Sequence, residues 1–186
     1  LLAAEKLFAE KGFKGATTSL IAAEAGVTHA MLHYYFRTKE QIFLKVCDSY
    51  MEEIRSELRP IMEPAVYDVK LIKTVTEICF DFFSSHSGQM SLFLEVAKER
   101  PELLEEYVAE LGRYMGGAIT AHQERTESAV REGKINDISF SDLLLDIVSV
   151  CASPFFFEPV VDNIMKMDAA RKKEFLESRK REAVEL

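Results

Sequence analysis

Residues 17–39 read TTSLIAAEAGVTHAMLHYYFRTK, a stretch that predicts two short helices joined by a tight turn. Ala22, Ala23 and Ala25 keep the first helix thin, and Gly26 stands where the chain must turn sharply, a conformation glycine adopts without a Cβ penalty. Thr28 then offers its hydroxyl as the N-cap of the second helix. Such a pair is a helix-turn-helix, whose second helix lies in the DNA major groove with its N-terminal residues toward base edges. The second helix suits that task. His29, Ala30, Met31, His33, Tyr34 and Tyr35 form a small, polar and aromatic surface, while Leu32 and Phe36, four apart, are left to face a core.

Working outward, residues 26–43 (GVTHAMLHYYFRTKEQIF) and 1–18 (LLAAEKLFAEKGFKGATT) resemble the TetR-type (TetR/AcrR) transcriptional regulators, with matching positions dense over roughly the first 45 residues. The resemblance implies an all-α fold. Residues 1–46 would be a three-helix, homeodomain-like helix-turn-helix DNA-binding domain, and residues 47–186 a larger helical ligand-binding and dimerisation domain. It implies a homodimeric repressor on double-stranded DNA with a palindromic operator, released by a small, apolar, unidentified effector. The alternative is a dimeric DNA-binding protein of the same fold without an effector. A basic arm ahead of Leu1 is also implied. His29 stands where the family frequently has Lys and His33 where it frequently has Tyr, which leaves the operator sequence open.

Composition is compatible with this reading. A chain of 186 residues, 48% hydrophobic and 29% charged, has the make-up of an ordinary globular protein with length enough to bury a core. No apolar run approaches the roughly 20 residues of a membrane span, and Glu5 and Lys6 sit early in an amphipathic opening unlike a signal peptide. Cys47, Cys79 and Cys151 are far apart, with no CxxC, and predict free thiols in a reducing, cytoplasmic compartment. The net charge of −8 argues against a DNA partner until the chain is divided. Residues 1–46 carry six Lys or Arg against four Glu, a net of +2 that leaves −10 on the remainder.

The predicted helices run 2–11, with Leu2, Leu7 and Phe8 inward and Gly12 just past the end; a second one capped by Thr18; a third over 29–36; and a fourth from the capping box Thr38-Lys39-Glu40-Gln41 to Pro60. Pro60 and Pro64 mark a boundary. Helices over 66–85, 90–98 and about 101–131 follow, the last stopped by Gly133, and two more over 139–157 and 159–182. The closing run RKKEFLESRKR, 171–181, reads as solvated.

Tyr34, Tyr35 and Lys39 are the candidates for phosphate contact, which positions a protein without reading sequence. One tyrosine has the alternative of packing inside the small domain. Thr17, Thr18 and Thr28 are expected as caps and as phosphate contacts besides, and His29, Ala30, Met31 and His33 as the residues that meet bases. His29 and His33 also have metal-ligand spacing, but no neighbouring acid or cysteine completes a shell, so no metal and no cofactor is expected. Neither a nucleophile–base pair nor a phosphate-binding glycine loop is present, so no catalytic residue is assigned and the chain is not read as an enzyme.

Most of the 13 phenylalanines come after residue 79 and suggest an apolar pocket as well as a core. Phe83, His86, Phe93, Tyr107, Met115 and His122 are the expected ligand-binding residues, with Glu95 and Tyr114 as further polar groups. Gly112, Gly116 and Gly117 interrupt a helical pattern, which marks a bend or a close approach. In CASPFFFEPVV, 151–161, three successive rings cannot all face one core, because helix neighbours point about 100° apart. Leu143, Ile147, Val150, Phe155, Val161 and Met165 are therefore expected to pair with a second copy as a four-helix interface.

Overall fold

In the computed structural model, which describes residues 1–63 and 66–185, and their side chains except at 91, 106, 110, 111, 113–116, 158, 159 and 162, the chain is all helical. Helix α1 (Leu2–Gly15) buries Ala4, Leu7 and Phe8 on one side. Leu2, expected with them, is 82% exposed, because it precedes the first turn that meets the core. The backbone does break at Gly12 (φ 68, ψ 175), but helix resumes for another turn to Gly15, where an ending had been expected.

Helices α2 (Thr18–Glu24) and α3 (His29–Tyr35) form the expected pair. Thr17, not Thr18, is the N-cap of α2, its hydroxyl accepting from the Leu20 amide at 3.2 Å. Gly26 has φ +67, and two backbone bonds close the turn there: Gly26 N–H to the Ala23 carbonyl (3.1 Å) and Val27 N–H to the Ala22 carbonyl (3.0 Å). These satisfy carbonyls that the end of α2 leaves open. Thr28 caps α3 by accepting from the Met31 amide at 3.1 Å.

Helix α4 (Lys39–Met62) starts at Thr38, which accepts from the Gln41 amide at 3.2 Å. It carries Pro60 inside its last turn instead of ending there; so near a terminus the missing N–H costs one bond, and Ile61 and Met62 pack against a core. Pro64 lies outside the described residues. Helix α5 (Val69–Ser85) begins three residues later than expected, at the Asp68 carboxylate, which accepts from the Leu71 amide at 2.9 Å. Helix α6 (Ser87–Glu99) follows at once, and α7 (Pro101–Arg131) ends at Gly133 (φ +68) with the bond pattern already seen at Gly26. Helix α8 (Phe140–Phe156) is capped by Ser139. The expected last helix is two, α9 (Glu158–Met165) and α10 (Ala169–Glu185), because Lys166 takes φ +45 and Asp168 caps a fresh start through the Arg171 amide.

The chain divides into two compact units, Leu1–Glu53 with Gly88–Arg113 and Ile54–Ser87 with Tyr114–Leu186. In the first, the rings of Phe8, Phe13 and Phe43 meet at 5.5–6.1 Å between centroids, with Ile21, Leu32, Ile42 and Val46 around them and Leu92, Val96, Leu103 and Leu104 completing the core. In the second, Phe80 of α5 meets Phe155 of α8 edge-on at 5.5 Å, among Leu71, Val75, Cys151 and Ala183. Helix α10 is not simply solvated. It lies along α5, with Ala183 buried, Leu176 against the core, and the ion pairs Lys180–Asp81 (2.7 Å) and Lys73–Glu185 (2.9 Å). All three cysteines are buried free thiols; burial pushes Cys47 and Cys151 up to about 12 and Cys79 to about 11.

A Cβ on Gly26 would meet nothing within 4 Å, so only its positive φ demands glycine. Gly26→Ala is expected to cost about 1–2 kcal/mol of stability, and Gly26→Asn less, since Asn tolerates the left-handed region. Urea unfolding of the two variants beside the parent measures the difference.

Candidate nucleic-acid interface

Helices α2 and α3 are joined at their starts as well as through the Gly26 turn, for Thr18 Oγ1 and His29 Nε2 are 3.1 Å apart. Leu32 is buried in the first core and Phe36 packs against it, which leaves the opposite side of α3 outward. Ala30 and His33 are exposed, with Met31 at 50%, Tyr35 at 67% and Tyr34 at 81%. The two tyrosine rings rest edge to face at 5.3 Å, and His29 and His33 stand 6.2 Å apart between ring centroids. Both tyrosines therefore stand outside the small core. Two exposed tyrosines, a methionine and two imidazoles on one short helix form a surface suited to base edges and phosphate oxygens.

The other expected contact residues have work inside the fold. The hydroxyls of Thr17 and Thr28 are engaged as caps, and that of Thr18 with His29. Lys39 directs its ammonium inward: Nζ donates to the Phe13 carbonyl at 2.7 Å and lies 4.4 Å from the centre of the Phe13 ring. Exposed Arg37, next to the end of α3, was given no role by sequence reasoning, although a cation two residues beyond Tyr35 was signal enough.

The expected ligand-binding residues are dispersed. Phe93 and Tyr107 belong to the first unit, the former exposed and the latter against its core. Phe83, half-buried, packs against the second core. His86 stacks on Phe82 at 4.4 Å, with Nδ1 2.9 Å from the Phe82 carbonyl. His122 stacks on Phe140 at 5.5 Å and hydrogen-bonds the Tyr67 hydroxyl, a partner that the sequence reading missed. One turn on, Arg125 donates to the carbonyls of Met62 and Glu63, each at 3.0 Å, at the C-terminal end of α4 where a cation is favoured. The side chains of Met115 and Tyr114, and of Gly116's neighbours 113–115, lie outside the described residues. Glu95 gives its carboxylate to backbone amides of α1. An open groove of about 390 Å³ runs between α5 and α10, lined by Phe80, Leu176, Asp81 and Lys173 among others and by none of the expected ligand residues.

Of the expected partner-facing residues, Phe155 is buried within its own chain, 4% exposed, and Ile147 and Val150 pack against the same core. Leu143 and Val161 are half-buried, and Met165 is exposed. The outward apolar residues are their neighbours, Leu144, Leu145 and Val148 on α8 and Phe157, Val160 and Ile164 beyond it. Helix α8 is apolar on most sides, so composition does not reveal which side the core takes.

An all-helical chain with a helix-turn-helix in its first unit and this outer face on α3 has the design of a DNA-binding regulator. Residues 1–46 match the family of bacterial regulatory proteins called the tetR family. The HTH-type transcriptional regulator YhgD of Bacillus subtilis (strain 168) is 23% identical over 135 residues, which cover 73% of this chain and 69% of YhgD. The HTH-type transcriptional regulator EthR of Mycolicibacterium smegmatis is 26% identical over 129 residues, 67% of this chain and 59% of EthR. The fold is also that of the transcriptional regulator FadR from Bacillus subtilis, solved in complex with stearoyl-CoA, at a TM-score of 0.63 and 18% identity over 99% of this chain and 93% of FadR. Residues 1–46 therefore carry a TetR-type helix-turn-helix domain, and the relatives named above are transcriptional regulators. No helix among the described residues is long and apolar enough to cross a membrane.

Tyr34→Ala and Tyr35→Ala are expected to weaken binding to all duplexes alike, whereas His33→Ala should alter preference at one position of each half-site by about 1–3 kcal/mol. Binding titrations on specific and random duplex distinguish the two outcomes. A second expectation concerns His122. Burial, and then the charge of Arg125, hold its imidazole below the ordinary 6.5. The unfolded chain therefore takes the proton first, and the His122 contribution is level above pH 6.5 and declines as the pH falls below it. His122→Gln should flatten that decline, read from urea midpoints at about pH 7.5 and about pH 5.5.

Proposed function

We propose that the chain is a homodimeric repressor that holds a palindromic operator and is released by a small apolar effector. The outward row on α3, with its bare Met31, His33, Tyr34 and Tyr35, carries the DNA-reading part. Residues 1–46 supply the reading domain, and residues 47–186 supply effector binding and dimerisation, in the cytoplasm. Two copies of α3 enter successive major grooves, which requires a separation of about 34–36 Å.

Dimerisation is supported by the apolar residues exposed on α8 and α9. The face is Leu144, Leu145, Val148, Val160, Ile164 and Met165, a shift of one position or so from what the sequence suggests. An apolar effector is supported by the Phe-rich second unit and by the likeness to FadR, a protein whose structure holds stearoyl-CoA. Phe83, His86 and His122 of that unit are the side chains proposed to meet it. Helix α4, 24 residues and so about 36 Å long, begins beside α3 and ends at the Arg125 cap. A tilt of α4 alters the spacing of the two reading helices, and a ten-fold loss of affinity needs about 1.4 kcal/mol of differential effector binding. The second reading, a dimer without an effector, is favoured by the internal partners that His86 and His122 already have.

Selection from a random-sequence duplex library tests the reading: a palindromic site should be recovered, and a long-chain acyl-CoA, as first probe, should release it. Recovery of the site with no release by any apolar compound would favour the second reading. For the dimer, Leu145→Asp and Val148→Asp are expected to give folded monomer by light scattering, whereas Ile147→Asp should destabilise the fold itself. An unchanged dimer after both outward substitutions would place the interface elsewhere.

A further inference from the structure

We propose that Glu95 of α6 is a positioning residue for DNA reading, although it lies far along the chain from the reading helix. The proposal rests on the DNA-binding reading above and adds a residue to it. The break at Gly12 frees the amides that follow, and one carboxylate takes both: Phe13 N–H donates to Glu95 Oε2 at 3.0 Å and Lys14 N–H to Oε1 at 3.3 Å. This is an N-cap supplied by another helix. From the other side, the carbonyl of the same residue, Phe13, accepts from Lys39 Nζ at 2.7 Å. Its ring is 4% exposed, with Phe8 and Phe43 against it.

Everything between Phe13 and Lys39 is therefore a loop closed on itself at Phe13. That loop is α2, the Gly26 turn and α3. Within it the two helices are locked together by the turn and by Thr18 with His29. The pair rests Ile21, Ala22 and Leu32 on the first core, its two ends meet at the Phe13 backbone, and Glu95 ties that backbone to α6. Helix α6 is itself held in place: Leu92 and Val96 are buried in the first core, and Arg100, just past its end, pairs with Glu40 of α4 at 3.0 Å. A Cβ on Gly12 would stand 2.7 Å from Glu95 Oε2, so the carboxylate occupies the space that only glycine leaves.

The test uses the full chain with Glu95→Ala and Glu95→Gln, and two readouts. Amide exchange at Phe13 and Lys14 is measured without DNA; affinity is measured for the library-selected duplex and for a scrambled one. Glu95→Ala should expose both amides and lower the specific-to-scrambled affinity ratio about ten-fold, or about 1.4 kcal/mol. Glu95→Gln, with one acceptor oxygen, should expose one amide and lower the ratio less. A folded Glu95→Ala chain with an unchanged ratio would overturn the proposal, even if its unfolding midpoint falls, because a purely structural role predicts that result. Should Glu95→Ala not fold, a parental ratio in Glu95→Gln would overturn it equally. Failure of the parent chain to select any duplex would instead sink the DNA-binding reading.

Discussion

A backbone angle of +67° at Gly26 is the constraint on which the outward face of α3 depends. For any residue with a Cβ that angle is costly, and glycine meets it freely. The turn brings the Val27 amide to the Ala22 carbonyl, so α2 ends in satisfied bonds and Thr28 arrives where it caps α3. Leu32 and Phe36 then point into the core, and the other side of α3 has nowhere to go but outward. Exposure of Met31, Tyr34 and Tyr35 is thus a consequence of the turn and not an accident of packing.

Polar groups around this unit stabilise geometry before they touch any ligand. Lys39, Glu95, Thr17, Thr18 and Thr28 all have the chemistry of phosphate or effector contacts, yet each is engaged with backbone or with a neighbouring side chain. The physical reason is local. Helix ends leave amides and carbonyls without partners, and a nearby hydroxyl, carboxylate or ammonium satisfies them at once. Arg125, donating to the carbonyls of Met62 and Glu63 at the end of α4, repeats the pattern in the second unit.

Elements announced by local chemistry were legible. Thr28, Gly26, Thr38 and Gly133 each mark a terminus through their own hydrogen bond or φ, and the structure uses all four there. Signals equally local were passed over: Asp68 starts α5, and Asp168 after Lys166 divides the last helix. Pro60 misled in the other direction, because a proline close to a helix end removes one bond without stopping the helix.

What the sequence determined by itself was the all-helical architecture, the helix-turn-helix pair and the outward composition of α3, because these follow from spacings within a turn or two of chain. Only the tertiary structure decided which side of an apolar helix is core. Phe155 went inward against Phe80 while Leu145 and Val148 stayed out, a choice that depends on a residue 75 positions away. It likewise joined Glu95 to Phe13 across 82 residues. Periodicity in sequence tells how a helix is patterned, but the partner that occupies each side is chosen by packing between segments that the sequence does not place side by side.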